Sequence, residues 1–402
     1  MFKSKTISII LFILCFVSIS NASNIIYVDV NGPNDPGTGA FEDPFLRIQD
    51  AIDSAIVGDI VEIQAGLYTG PGNYDLDPNG LAITIRSTDP NNPDVTANTI
   101  IDPNHLGRSF YFDSGEDTNC VIAGFTLQNG TTDGSGGAMY CFDSSPTIRN
   151  CVIINNTAIW SGGGIFCFNS ESTIRNCIIA GNSVGATGGG IRCVSCSNFK
   201  ITNCTISSNS ADWQQGEGFY FFDCTVSINN SIIWGNGLEQ IYATDGNTTV
   251  TYSDVQNGWY GTGNIDTDPC FALFDPNSDP NMWDFHLQSA YGRWDPNSQL
   301  FVNDSNTSVC IDSGDPNSGW SDEPWPNGKQ VNMGVYGRTN QASMNGNPAD
   351  FDIDGFVNFV DFAEFSDKWS TEEFCIQDLA QNGVVEFADL LIFVQNWGWQ
   401  RE

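Results

Sequence analysis

The chain is predicted to fold as an all-β solenoid, a parallel β-helix, followed by a small helical module. Three observations predict this. Asn-Cys followed by aliphatic residues recurs at Asn119-Cys120, Asn150-Cys151, Asn176-Cys177 and Asn203-Cys204, with Asn230-Ser231 as a worn fifth copy, at spacings of 31, 26, 27 and 27 residues. Gly-Gly-x-x-x-Cys recurs from Gly136, Gly162 and Gly188, 26 residues apart each time. Two motifs that keep one period in step mark a stacked repeat. Near the C-terminus an acidic twelve-residue loop occurs twice, 28 residues apart, each time before an apolar helical run.

The first element, "MFKSKTISIILFILCFVSISNAS", sets Lys3 and Lys5 before an apolar run from Ile7 to Val17 and small residues ending at Ala22. That order reads as a secretory signal peptide over 1–22. Cys15 has no small residue before it, which argues against a lipid anchor. No later stretch reaches the roughly 20 apolar residues of a membrane span. The net charge of −34 over 402 residues becomes more negative when Lys3 and Lys5 are removed. A field of that sign repels nucleic acid and anionic lipid and favours divalent cations.

Next, "DPFLRIQDAIDSAIVGDIVEIQAGLY" places Ile48, Ala51, Ile52 and Ala55 on one helical face, a cap over the open end of the solenoid, with "GDIVEI" starting the first strand. Within each 26-residue coil, "STIRNCII" and "GGIFCF" are short, alternating and rich in Ile, Thr, Phe and Cys, so they read as strands. Glycine clusters and the turns "NNTA" and "GNS" supply the left-handed corners between them. Each strand should pair with its copy one coil away, at about 4.8 Å. Ile148, Ile174 and Ile201 should then form an inward aliphatic ladder, and Asn150, Asn176, Asn203 and Asn230 an amide ladder at a turn. The solenoid with its cap is expected over 23–262 and an irregular, turn-rich closure of its end over 263–345.

Of the thirteen cysteines, those at 141, 167 and 193 and those at 151 and 177 recur with the repeat, which suits stacked buried thiols. Cys193-x-x-Cys196 and the pair Cys270 and Cys310 are the candidate exceptions, for a disulfide or a metal.

The strings "GDIVEIQAGLY", "GFTLQNG", the two "TIRNC" coils, "VTYSDVQ", "CIDSGDP" and "VNMGVYG" resemble the right-handed parallel β-helix proteins of the pectin lyase-like superfamily, particularly secreted repeat proteins of planctomycete-type bacteria. The resemblance covers roughly residues 25 to 342. It implies a polysaccharide partner and, for an enzyme, a polysaccharide lyase or glycoside hydrolase. It also implies a bacterial extracellular or cell-surface location.

A lyase of that superfamily needs an arginine or lysine base on the outer face, and a hydrolase needs converging aspartates. Arg149 and Arg175 stand in register, with Arg192 and Lys200 nearby. An outward pair in register also fits a solvated face, so both readings stay open. Gly-His-Gly and Arg-Ile-Lys triplets are absent, "WDFH" at Trp283 has the wrong spacing for a Trp-x-Asp-His motif, and the two histidines, His105 and His286, fall in turn-rich sequence. Several acidic side chains beside Arg149 or Arg175 in one groove would favour an enzyme. A flat, uncharged face would favour a noncatalytic surface or adhesive scaffold.

The strongest chemical motif is "DFDIDGFVNFVD". Asp350, Asp352, Asp354, Asn358 and Asp361 take positions 1, 3, 5, 9 and 12 of a calcium loop, with the Phe356 carbonyl at position 7 and Gly355 at the sharp turn. The second loop, "DLAQNGVVEFAD", offers Asp378, Asn382, the Val384 carbonyl, Glu386 and Asp389, but Ala380 stands at position 3. The pair resembles a type I dockerin over residues 347 to 399, within a module of 346–402. That resemblance implies Ca2+ and a cohesin-like protein partner. Phe359-Val360 and Phe387-Ala388 replace the polar pair usual in cohesin recognition.

Overall fold

The computed structural model describes residues 23–371, 375–380 and 382–400; the expected signal peptide lies outside them. The main body is a parallel β-solenoid. Its first sheet has nine strands, from Ile25–Val28 to Asn247–Thr251. The second has six, from Phe110–Phe112 to Ile241–Thr244, and the third eight, from Gly66–Tyr68 to Asp254–Val255. A ladder of four two-residue strands fills one corner. Among the described residues no helix is long and apolar enough to cross a membrane.

Pairing partners are one coil apart, as the period requires. Ile148 lies between Ile122 and Ile174, and Ile174 pairs with Ile201, inside a column of nine aliphatic side chains from Ile26 to Val250. All nine are buried. Cys141, Cys167 and Cys193 form a second inward column. All twelve cysteines of the described residues are free thiols, including Cys196, Cys270 and Cys310. Burial pushes up the Cys151 and Cys193 thiols, which keeps them protonated and inert.

The amide ladder lies at a different turn from the one expected. Asn150, Asn176, Asn203 and Asn230 do stack as a column of corner residues with φ of 50–54°. Their side chains, however, turn away from one another: Asn150 donates to the Pro90 carbonyl at 2.7 Å, and Asn176 to those of Val335 and Gly337 at 3.0 and 2.8 Å. The ladder is built by Asn156 of "NNTA", Asn182 of "GNS" and their equivalents in the next two coils, Asn209 and Asn236. Asn156 donates to Asn182 at 3.0 Å, Asn182 to Asn209 at 2.9 Å, Asn209 to Asn236 at 2.8 Å, and Asn236 to the Gln240 amide oxygen at 2.9 Å. Each side-chain nitrogen of the four also donates to a carbonyl of the preceding coil, at Leu127, Ile153, Ile179 or Ile206. These amides are buried and satisfied, which removes the penalty of a polar column in the core.

Both ends differ in detail from the sequence reading. The first strand is "IIYV" at Ile25–Val28, ahead of helix α1 (Ile48–Ser54), and it pairs with Ile60–Ile63. Ile48, Ala51 and Ile52 of α1 are fully buried over that end. At the other end a loop covers the last coil: Tyr252 N–H donates to the Thr262 carbonyl at 2.8 Å, the Asn264 amide donates to the Val250 carbonyl at 2.9 Å, and Trp259 packs on the core.

Of residues 263–345, expected to close the end, the first few do so, with Ile265 bridging to Asp254, and the rest run along the flank. There Phe271, Phe285, Leu287, Ile311 and Met333 build a second core against Ile178, Ala180 and Ile232 on the outer face of the third sheet. A sheet covered on both faces needs continuous apolar strands, and "VII", "IIA" and "IIW" are such runs. Helix α2 (Pro93–Asn98), capped by Asn92, sits at the corner between the first and third sheets. Helices α3 (Phe359–Asp367) and α4 (Phe387–Gln395) enclose Phe351, Val357, Phe365, Val385 and Phe393. Trp325 ties them to the flank by donating to the Pro348 carbonyl at 2.8 Å.

Replacing Ile174 by Asp should abolish the cooperative melting transition, because an unpaired carboxylate between two buried isoleucines costs several kcal/mol. Asn182→Leu should lower stability by about 2–3 kcal/mol, since it strands the Asn156 backbone N–H and one proton of the Asn156 side-chain amide, both of which donate to the Asn182 oxygen. Denaturant titration measures both, and an Asn182→Leu variant as stable as the parent would show that the ladder contributes nothing.

Candidate functional site

Strand alternation decides where the arginines go. Ile148 and Ile174 point inward, so Arg149 and Arg175, the last residues of Thr147–Arg149 and Thr173–Arg175, point out, side by side in register. Ala123 precedes them in the column and Thr202 follows. Asn91 reaches over from the loop before α2, and its amide oxygen accepts from Arg149 Nη1 at 3.3 Å and from Asn150 at 2.9 Å. Among the described residues no carboxylate lies within ion-pair distance of Arg149, Arg175 or Arg338. Partial burial, and then repulsion from Arg175, hold the Arg149 guanidinium below its ordinary pKa.

The two arginines line a groove of about 1040 Å³ at this corner. Asp89, Asn91 and Asp94 form one wall; Trp294 and Gln299, from the hairpin of Arg293–Asp295 and Leu300–Val302, form another; Asp322 and Arg338 complete it. Gln299 donates to the Asp94 carboxylate at 3.1 Å and so ties two walls together. Asp89, Asp94 and Asp322 therefore share one groove with both arginines, outside ion-pair distance of either. The sequence reading missed Asp89, Asp94, Trp294, Asp322 and Arg338, which come from turn-rich segments without periodicity.

The other basic and histidine candidates lie elsewhere. Arg192 is on the second sheet, 4.9 Å from the Tyr220 ring and bonded to Ser161. Lys200 is exposed beside Thr173. His105 meets the Thr131 hydroxyl at 2.9 Å in an exposed turn. His286 is buried, 2.5 Å from the Asp284 carboxylate and stacked 3.6 Å from the Tyr336 ring.

In the C-terminal module, Asp350, Asp352 and Asp361 bring carboxylate oxygens within 4.8 Å of one another. Asp361 is fully buried and accepts from the Phe351 and Asn358 N–H groups at 2.7 and 2.8 Å. One oxygen of Asp350 accepts from the Gly355 N–H at 3.0 Å; the other is buried without a partner, an orphan that a cation would satisfy. Burial and the charges of Asp361, Asp352 and Asp354 push the Asp350 carboxyl up to about 6. Asp354 lies at the rim, with Phe356 N–H donating to it at 2.8 Å and the Asn358 amide at 3.4 Å.

The second loop repeats this frame. Gly383 N–H donates to Asp378 at 2.7 Å, and Ala380 and Glu386 N–H groups donate to Asp389, each at 2.7 Å. Asn382 accepts from the Val384 N–H at 3.1 Å and donates to Glu386 at 3.2 Å. Ala380 brings no oxygen where Asp352 stands in the first loop. The first loop's hard oxygen donors thus fit a calcium ion, and the second loop has one fewer.

Residues 79–257 match the protein family described as the right handed beta helix region. No curated protein matches the chain. Among solved structures, the chain is similar to one titled "Crystal structure of pectate lyase Pel9A", at 14% identity and a TM-score of 0.31, over 81% of this chain and 97% of that one.

Proposed function

We propose that this is a secreted, polysaccharide-associated β-helix protein that holds an acidic sugar chain in the corner groove and is anchored through its calcium-binding module. The observation that carries this reading is the pair of in-register arginines without carboxylate partners, opening into a groove that also offers Asp, Asn and Gln side chains and a tryptophan. Guanidinium groups bind carboxylates in a planar, two-pronged fashion. Amides and carboxylates suit sugar hydroxyls, and an indole ring suits the apolar face of a pyranose.

For chemistry, the arrangement supports elimination. In its neutral guanidine form, which burial and repulsion from Arg175 favour, Arg149 takes the proton beside a uronate carboxylate and becomes guanidinium; Arg175 and Arg338 hold that carboxylate as charge builds on it. The glycosidic oxygen then leaves with the bonding pair, and a double bond forms in the sugar ring. Asp89, Asp94 and Asp322 keep a hydrolytic alternative in view. The test is a panel of acidic and neutral polysaccharides incubated with the full chain and calcium, followed for unsaturated products and for new reducing ends. Each arginine removed should weaken binding of an acidic polymer about tenfold or more, the range of a charge-assisted hydrogen bond. Full binding and turnover in the Arg149→Ala/Arg175→Ala variant would remove both arginines from the reaction, whereas no turnover and no arginine-dependent binding in the parent would favour the noncatalytic scaffold, a reading that the stiff stacked columns also suit.

In the module, bound calcium would supply the positive charge that lets Asp350, Asp352 and Asp361 sit together. Asp354 and Asn358, with the Phe356 carbonyl, would complete the first site; Asp378, Asn382, Glu386 and Asp389, with the Val384 carbonyl, would form a weaker second. The anchoring partner, of cohesin-like type, would meet the apolar Phe359 and Phe387 region. Calorimetric titration of the full chain should give one tight and one weak calcium site, and Asp354→Ala should weaken binding far more than Asn382→Ala. A chelator that leaves the melting profile unchanged would refute the calcium reading.

A further inference from the structure

The corner groove does not end at the arginines. Asn91, Asn150, Asn176 and Thr339 line both the groove and a second chamber of about 380 Å³. Arg149 and Arg175 immediately precede Asn150 and Asn176 in the chain, so the two spaces adjoin along the edge of the first sheet. The chamber differs from the groove in character: its walls are Val152 and Ile178 from the third sheet and Trp283, Phe285, Val335 and Tyr336 from the flanking layer.

The amide donors that it shares with the groove are already engaged. Both amide protons of Asn150 are taken by the Pro90 carbonyl and Asn91, and both of Asn176 by the Val335 and Gly337 carbonyls. The aromatic walls are fixed. Trp283 Nε1 donates to the Asp275 carbonyl at 2.8 Å and to Ser278 at 3.0 Å, and its ring packs edge-on against Phe274 and Phe285. A preformed apolar recess needs no ordering when it is filled, which favours a ligand group over collapse of the walls. At about 30 Å³ per water, its volume equals about a dozen waters, room for a phenyl ring with its linker but far more than a methyl group needs.

We propose that this chamber receives an apolar acyl or aryl substituent of the acidic sugar chain, so that the ligand class is a uronic-acid polymer decorated with such groups. The inference rests on the polysaccharide reading above and adds the decoration. Three small probes separate its parts: glucuronate, phenyl glucuronide and phenyl glucoside, titrated calorimetrically into the full chain. Phenyl glucuronide should bind about tenfold or more tighter than glucuronate, a difference of about 1.4 kcal/mol. Val152→Phe, which fills the chamber from a partly buried strand position, should erase that advantage and leave glucuronate binding in place. Arg149→Ala/Arg175→Ala should bring phenyl glucuronide down to the level of phenyl glucoside. Equal binding of phenyl glucuronide and glucuronate, an advantage that survives in Val152→Phe, or no binding of phenyl glucuronide at millimolar concentration overturns the proposal. An acidic polymer that binds while the phenyl group adds nothing sinks the chamber alone. Failure of the polymer itself removes the polysaccharide reading.

Discussion

Parallel in-register stacking is the constraint from which the rest of this structure follows. Once strands pair with their own copies one coil away, each position faces its equivalent at about 4.8 Å, and only side chains that tolerate themselves can fill a column. Aliphatic residues do so by burying area, as from Ile26 to Val250, and small thiols do so at Cys141, Cys167 and Cys193. A buried polar residue can do so only if it carries donors and acceptors in balance. The primary amide does, which is why Asn156, Asn182, Asn209 and Asn236 can run through the core unpenalised. Aromatic rings follow the same rule outside, where Tyr111, Tyr140 and Phe166 stack at 5.1 and 5.3 Å.

Charge is what such a column tolerates least, since like charges directly opposite repel. The outer column of the first sheet shows both outcomes. Near its start Glu62 stands opposite Arg86, and the two form an ion pair at 2.5 Å. Farther along, Arg149 stands opposite Arg175 with no carboxylate on either. The same column thus contains a satisfied pair and an unsatisfied one, and the unsatisfied one opens into the groove. That unpaired charge is what the proposed anionic ligand would satisfy.

The solenoid was legible because periodicity survives in one dimension: two motifs in step give the coil length, and alternation gives the inward face. Two asparagine columns share that period, so spacing alone could not separate the ladder at Asn182 from the corner at Asn176. Their surroundings decide it, since "NC" places the next side chain in the core while "GNS" places the asparagine itself there. The flanking layer had a signal that alternation obscured, the unbroken apolar runs at Val152–Ile154 and Ile178–Ala180, which mean burial on two faces. The groove's walls had none. Asp94, Trp294 and Arg338 converge through non-repeating turns, and no period relates them. The acidic C-terminal loops were the opposite case, with spacing alone placing Asp350, Asp352 and Asp361 together.

A chain of net charge −34 would be expected to keep a polyanion away. Screening limits that expulsion to short range: at about 0.15 M salt the Debye length is about 8 Å, so carboxylates scattered over a long solenoid act weakly at one corner. What an approaching carboxylate meets inside the groove is then set by the side chains that line it. Asp94 is partly engaged by Gln299, whereas Arg149, Arg175 and Arg338 have no carboxylate partner among the described residues. The groove's lining sets three carboxylates, Asp89, Asp94 and Asp322, against three guanidiniums, so its formal charge is balanced where that of the whole molecule is strongly negative. An anionic chain would be held only where the coils bring these arginines together, and the acidic surface elsewhere would discourage it from adhering out of register.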